Sequence, residues 1–447
     1  MLNRIPLQLR AIAYALRGGF LIRPLIIAVV LGLAGAVLSS AEEARPSISA
    51  WVPTLLFPSH QDPQVAQNIL SVIATSIMTV VSIVFAILLM TLTLASMQFS
   101  PRILISFVRD RATQWTLGIF LGTFSYCMAA LPAARSLPHP FSPVATVLGA
   151  MVLALLCVGW LLFFIHHISQ SISVNHIVDR IARETEQVID ELMPHPRTLH
   201  DVPPHPLPDT NEPEFPVLST MSGYIRFIDT HALARAAREQ RVRVRVLRRV
   251  GHFVPEGAPL MTITRHRHLR ADRAAELIGT VDIGPMRTLQ QDVEFGILQI
   301  VDIALRAISP AVNDPSTAIS CIDQLSRILI RWIGRIPPDT QMFGPPYVLR
   351  VIVPWIDLDG MLNTALEQIR AYATTDAAVS LRLLRLLQDV AGTVDNERLR
   401  QRVIERGAPI VEGCRGQLPP GDVEALAKRL ATLESLTLSR PASPHAA

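Results

Sequence analysis

Charge is scarce in this chain: 17% of its 447 residues are Asp, Glu, Lys or Arg, against about 25% in an average soluble domain. With 50% hydrophobic residues and a mean hydropathy of +0.35, that scarcity excludes both an ordinary soluble enzyme and a dominantly disordered chain. Lysine is nearly missing. Of 41 basic side chains only Lys428 is a lysine, and the excess over 37 acids is +4. So arginine-biased a set reads as the codon usage of a GC-rich genome before it reads as nucleic-acid or phosphate binding. The four cysteines, Cys127, Cys157, Cys321 and Cys414, lack the short spacing of a zinc site or redox motif, so neither a disulfide framework nor a metal centre is implied. No phosphate-cradling loop, HExxH motif or Ser/His/Asp order supplies a catalytic residue, and no cofactor is expected.

What is present is apolar length. Four stretches, Phe20 to Ser39, Ile69 to Thr93, Gln114 to Ala130 and Pro143 to Ile165, approach the ~20 residues that cross hydrocarbon as a helix. No charge occurs between Asp62 and Arg102, so the second helix is expected to continue past the bilayer. Arg4, Arg10 and Arg17 precede the first span, Arg102, Arg109 and Arg111 separate the second from the third, and Arg180 and Arg183 follow the fourth. The positive-inside rule therefore places both termini in the cytoplasm of a bacterial inner membrane. Ser39-Ser40-Ala41 mimics a signal-peptide cleavage site, but a long basic leader and three further spans favour an anchored helix.

The spans carry no ionisable residue at mid-membrane, where a proton-coupled carrier needs one. They do carry small and hydroxylated residues. Ser71, Thr75, Thr79, Ser82 and Ala86 recur at helical spacing on the second span, Gly118 and Gly122 form a GxxxG pair on the third, and Ala28, Gly32 and Ala36 form a ladder on the first. Close helix packing is the preferred reading and a hydrated pore the alternative.

The fourth span reads on without a break signal through His166, His167 and His176 into an amphipathic helix ending near Leu192. Eight prolines between Pro194 and Pro216 exclude a helix or a central strand there, leaving an extended linker. Strands are expected at Gly223 to Asp229 and at Arg241 to Leu247, where alternation puts Arg241, Arg243 and Arg245 on one face. The phrase VGHFVPEGAPLMTI reads as a hairpin and resembles half of a biotinyl/lipoyl-type barrel, without that family's modified lysine. Arginines from Arg235 to Arg273 outnumber the neighbouring acids; a solvated or inter-subunit face is the first reading and anionic lipid the second. Nucleic acid is disfavoured, because no aromatic residues interleave them.

Val293, Ile297, Ile300, Ala304 and Ile308 mark one face of a helix that Ser309-Pro310 stops. Asp314 then caps a second helix, with Pro315 at its first position and Ala318, Cys321, Ile322, Leu325 and Leu329 as its apolar face. Asp323, Arg327 and Arg331 form a charge ladder expected on its outside. Asn313, Asp314 and Thr317 place three oxygen-bearing side chains at one turn, a candidate ligand site for which helix capping is the preferred account. Beyond it lie a strand at Val348 to Val353 and helices near Asp359 to Ala373, Asp376 to Val390, Asp395 to Ile404 and Val423 to Leu436.

The run QQDVEFGILQIVDIALRAISPAVNDPSTAISCIDQL, with SGYIRFID and GHFVPEGAPL before it and LASMQFSPRIL in the membrane half, resembles the bacterial predicted-membrane-protein family known as domain of unknown function 2254. The likeness spans nearly the whole chain. Asp292, Phe295, Gly296, Asp302, Ala304, Ser309, Pro310, Asn313, Asp314, Pro315 and Thr317 match its motif. The resemblance implies a multi-pass region plus a cytosolic domain, and no transferable activity.

The expected fold is an α-helical membrane protein, four transmembrane helices followed by a cytosolic α+β domain. Its divisions are a basic leader (1–19), the membrane domain (20–165), a membrane-proximal helix (166–193), a Pro-rich linker (194–216), a β-rich subdomain (217–285), a mostly helical subdomain (286–438) and a disordered tail (439–447). The leading function is a non-enzymatic homo-oligomer with a regulatory or docking domain, in contact with the bilayer. A channel gated by that domain and a membrane-anchored enzyme are the alternatives.

Overall fold

The computed structural model describes residues 22–45, 62–98, 111–135, 140–171, 173–193, 213–264, 270–338, 340–344 and 348–437. The basic leader, the tail, most of the Pro-rich linker, and Arg102, Arg109, Arg265 and Arg267 lie outside these residues. Two compact units meet at Ser173/Val174.

The first unit holds four membrane helices: α1 (Ile22–Ala44), α2 (Pro63–Gln98), α3 (Arg111–Ala130) and α4 (Val144–Ser171). Each contains a span of at least 22 apolar-rich residues, enough for the hydrocarbon thickness. At 36 residues, α2 is about 54 Å long at 1.5 Å per residue, longer than one crossing. The most enclosed helix is α3, half of whose span is buried. Small residues explain why α1 fits so closely against it. A Cβ on Gly118 would lie 2.5 Å from Ile27 Cδ1, and one on Gly122 2.5 Å from Leu31 Cδ1; reciprocally, a Cβ on Gly35 would meet the Tyr126 carbonyl oxygen at 2.6 Å. With no hydrophobic force between helices in lipid, such backbone proximity supplies the attraction.

Helix α4 ends at Ser171 and α5 (Val174–Leu192) begins afresh, with Ser173 outside any helix. The uninterrupted helix read from the sequence is therefore corrected to two. Hydropathy carried no signal for the stop, because the apolar pattern simply changes from all-round to one-sided.

In the second unit, α5 is followed by β1 (Glu214–Leu218), β2 (Gly223–Ile228), α6 (Thr230–Glu239), β3 (Arg243–Val246), β4 (Phe253–Val254), β5 (Pro259–Thr264), α7 (Ala271–Ile278) and β6 (Val281–Gly284). Then come α8 (Val293–Ala307), α9 (Pro315–Ile333), β7 (Gln341–Gly344), β8 (Val348–Ile352), α10 (Leu358–Tyr372), α11 (Ala377–Thr393), α12 (Glu397–Ile404), α13 (Ala408–Cys414) and α14 (Pro420–Glu434). One sheet has the order β1-β5-β3-β8-β7 and the other β4-β2-β6. Ile225, Val244, Leu260, Met261, Ile263 and Val351 are buried in their shared core.

Three sequence expectations change here. VGHFVPEGAPLMTI is no hairpin, because β4 pairs with β2 while β5 pairs with β1 and β3, so the chain crosses between sheets at its Pro-Glu-Gly turn. Pro216 belongs to β1, an edge strand where a missing N–H is tolerated. The sheet is completed by β8, parallel to β3, and by β7, so the β layer draws on both stretches assigned to separate subdomains.

Candidate functional site

The motif QQDVEFG builds the most enclosed polar cluster in the second unit. Gln291 extends the backbone pattern of β2: its Oε1 accepts the Ile228 N–H at 2.9 Å and its Nε2 donates to the Ile228 carbonyl at 3.4 Å. Asp292 caps α8 by accepting the Phe295 N–H at 3.1 Å, and Arg287 donates to its two oxygens at 2.8 and 2.9 Å. Glu294 accepts from Arg287, from Arg249 at 3.0 Å and from the Thr364 hydroxyl at 3.0 Å. Only 3% of the Asp292 side chain and 12% of the Glu294 side chain are exposed, so each charge depends on its partners. Burial raises the Glu294 pKa, but the two guanidiniums outweigh it and hold the carboxyl below its ordinary range. Two arginines balance two carboxylates, and every carboxylate oxygen in the cluster already accepts. The arrangement locks α8 to the β3–β4 loop, where Gly251, at φ +89°, leaves room for Arg287 and Asp292.

The Asn313-Asp314-Thr317 turn is equally self-contained. Asp314 Oδ1 accepts the Thr317 N–H at 3.1 Å and Oδ2 accepts the Thr317 hydroxyl at 2.6 Å. These bonds, the hydroxyl first, hold the Asp314 carboxyl below its ordinary range. Asn313 is exposed with φ +49°, a conformation asparagine tolerates better than most residues. Asp314 thus caps α9 through Thr317, with the Ser316 N–H also favouring its charged form.

A different face of the same helix ties α9 to α5. Arg327 pairs with Asp179 and Glu186, while Arg331 and Arg335 share Asp190. Asp323 pairs with Arg382 of α11. The expected outward ladder Asp323-Arg327-Arg331 is therefore corrected: its members bridge to other helices instead of to one another. Beneath the bridges Ile177, Ile181, Ala182 and Ile189 of α5 are buried, and a Cβ on Gly296 of α8 would run into Thr185. Cys321 is buried in α9, its thiol pushed up to about 12 by burial, and is inert at neutral pH.

The arginine triad divides. Strand β3 starts at Arg243, so Arg241 lies before it, in a turn at φ +53°. Arg243 and Arg245 do share a face, where Arg243 donates to Thr264 and Arg245 pairs with Glu214. Arg235, Arg238, Arg241 and Arg273 are exposed, and their guanidiniums make no hydrogen bond or ion pair among the described residues.

In the membrane unit, Ser71, Thr75, Thr79 and Ser82 are all exposed on α2. Thr75, Thr79 and Ser82 donate to the carbonyls four residues back at 2.8, 3.1 and 3.0 Å. Ser71 and Thr75 also line a shallow cavity of about 250 Å³ with Leu70, Ala74, Met78 and Phe124.

The polar contacts that join membrane helices come from residues the sequence reading passed over. Trp160 Nε1 donates to Thr116 Oγ1 at 2.9 Å, Thr123 Oγ1 lies 3.3 Å from Cys157 Sγ, and the Tyr126 hydroxyl donates to the Thr146 carbonyl at 3.1 Å. Glu42, 1% exposed, caps α4 from the end of α1, accepting the Ala145 and Thr146 N–H groups at 2.8 and 3.1 Å and the Thr146 hydroxyl at 2.9 Å. Glu43 pairs with Arg135. The available signal for Glu42 was an acid at a span end facing a helix start, Pro143-Val144-Ala145-Thr146, that supplies no acidic cap of its own. Among the described residues no group of three or more His, Cys, Asp or Glu is placed to hold a metal ion.

Four membrane helices followed by a domain of helices and mixed sheets, whose polar clusters lock helices together, define a multi-span membrane protein with an attached α+β domain. The chain belongs to the DUF2254 family of predicted membrane proteins, whose model matches residues 17–389. It is 31% identical over 451 residues to uncharacterized proteins of Mycobacterium bovis and Mycobacterium tuberculosis, covering 99% of this chain and 84% of each relative. No solved structure matches it.

Proposed function

We propose that this is a non-enzymatic inner-membrane homo-oligomer, both termini cytoplasmic, whose C-terminal domain regulates the membrane helices through the fourth span. The carrying observation is the clamp on α5. That helix starts three residues after the last residue of α4 and is gripped by Arg327 and Arg331 of α9 and by Arg335 just past its end, over a buried apolar face. A partner or solute that shifts α8 and α9 therefore pulls on the fourth span through a very short connection.

The test reverses the clamp. Arg327→Glu with Arg331→Glu is expected to raise hydrogen exchange in α5 and to change the reactivity of a cysteine placed at Leu155 of α4, with Glu186→Arg and Asp190→Arg restoring both. Faster exchange in α5 with an unchanged Leu155 site would defeat the coupling. Topology is read independently: cysteines at Arg45 and Pro140 should label from the periplasm, and one at Arg273 from the cytoplasm.

The exposed hydroxyl side of α2 favours one second reading, a pore shared between copies. Thr75→Leu and Ser82→Leu would then abolish ion flux into proteoliposomes, whereas a contact between copies predicts altered oligomer mass and no flux to lose.

A further inference from the structure

We infer that α6, the turn after it and the start of α7 form a docking surface for anionic phospholipid headgroups, with Arg235, Arg238, Arg241 and Arg273 as the contacts. In the second unit arginines are spent on carboxylates almost everywhere: Arg226, Arg245, Arg249, Arg287, Arg327, Arg331, Arg335, Arg382 and Arg402 each hold one. The four named here do not, and they are neighbours. Arg235 and Arg238 follow each other round the exposed side of α6, and Arg241 stands in the next turn. Gln240 between them donates to the Arg273 carbonyl at 3.2 Å and to Glu276 at 2.8 Å, which seats α7 alongside. Asp272 is tied to Arg270, so Glu239 is the acid that stands alone on this face.

Charge complementarity selects the partner. Free guanidiniums suit phosphate oxygens, and a domain carried by four membrane helices never leaves the vicinity of a bilayer, so local concentration favours lipid over any soluble polyanion. Neither α6 nor α7 has a Phe, Tyr or Trp, so the large stacking platform that single-stranded nucleic acid uses is missing. The inference rests on the membrane anchorage and is independent of the α5 coupling.

The test uses the full chain in nanodiscs. All four native cysteines are buried, so Glu239→Cys takes a single fluorophore. With phosphatidylglycerol in both leaflets the fluorophore is expected to lose accessibility to aqueous iodide relative to phosphatidylcholine alone, and to regain it in high salt. Replacing each of the four arginines by glutamine should lower the docked-to-free ratio about fivefold, equivalent to ~1 kcal/mol per basic residue at an anionic surface; Arg398→Gln, on α12, should leave it unchanged. Because both leaflets match, the result does not depend on which way the domain faces. Equal accessibility in both lipids, an equal effect of Arg398→Gln, protection that appears only with added oligonucleotide, or protection in phosphatidylcholine that scales with copies per disc would each overturn the assignment.

Discussion

Asp314 and Glu42 both cap helices, yet their surroundings set different costs for losing them. Asp314 is half-buried and its Ala variant leaves the Thr317 N–H and hydroxyl near water. Asp314→Ala is expected to cost about 0.5–2 kcal/mol, and Asp314→Asn a few tenths at most, because asparagine caps as well as aspartate. Thermal unfolding of the two variants in detergent measures the difference. Glu42 is buried, so Glu42→Ala strands two N–H groups and a hydroxyl, each worth about 1–3 kcal/mol when left unpaired away from water. We expect Glu42→Ala to lower the unfolding temperature more than Asp314→Ala does; an equal or smaller drop would mean that water reaches the α4 cap. Glu294 sets an acid limit. Its folded pKa lies below the ordinary 4.5, so its pairing stabilises the protein fully above that value and is lost as pH falls through the folded pKa. Removing the carboxylate in Glu294→Gln should flatten the stability profile below about pH 4.5 and lower stability at neutral pH.

At the scale of elements, glycine placement governs how closely helices approach. Gly118→Leu drives a side chain into Ile27 and the Pro24 backbone, and Gly122→Leu into Leu31. Either variant is expected to separate α1 from α3, seen as loss of a disulfide engineered between the two helices and as reduced yield of folded protein. Unchanged cross-linking in both would remove the packing role. The helix periods themselves were legible: apolar spacing located all four spans and the α8–α9 pair within a few residues, because period and length are local properties. The short α6 and α7 were not. Arginine crowds the one and eight residues make up the other, so neither shows an apolar stripe long enough to stand out.

For the whole molecule, the sequence by itself determined that the chain enters a membrane four times, that a separate mixed domain follows, and which family it belongs to. Those conclusions depend on hydropathy summed over about 20 residues and on a contiguous motif, both of which survive without knowledge of contacts. The domain's cooperativity was beyond such reading. β8 joins β3 from more than a hundred positions away, and Arg287, Arg249 and Thr364 converge on Glu294 from three separate stretches. The same limit explains the site residues. Which arginines of a basic stretch are bound and which are free depends on where Glu214 and Glu294 arrive in space. Likewise the hydroxyls of α2 and the threonines of α3 read alike as small polar residues in apolar helices, and only packing turned one set outward and the other inward. A sequence pattern fixes the periodicity of a face; the partner that covers it is chosen by long-range contacts that no local window contains.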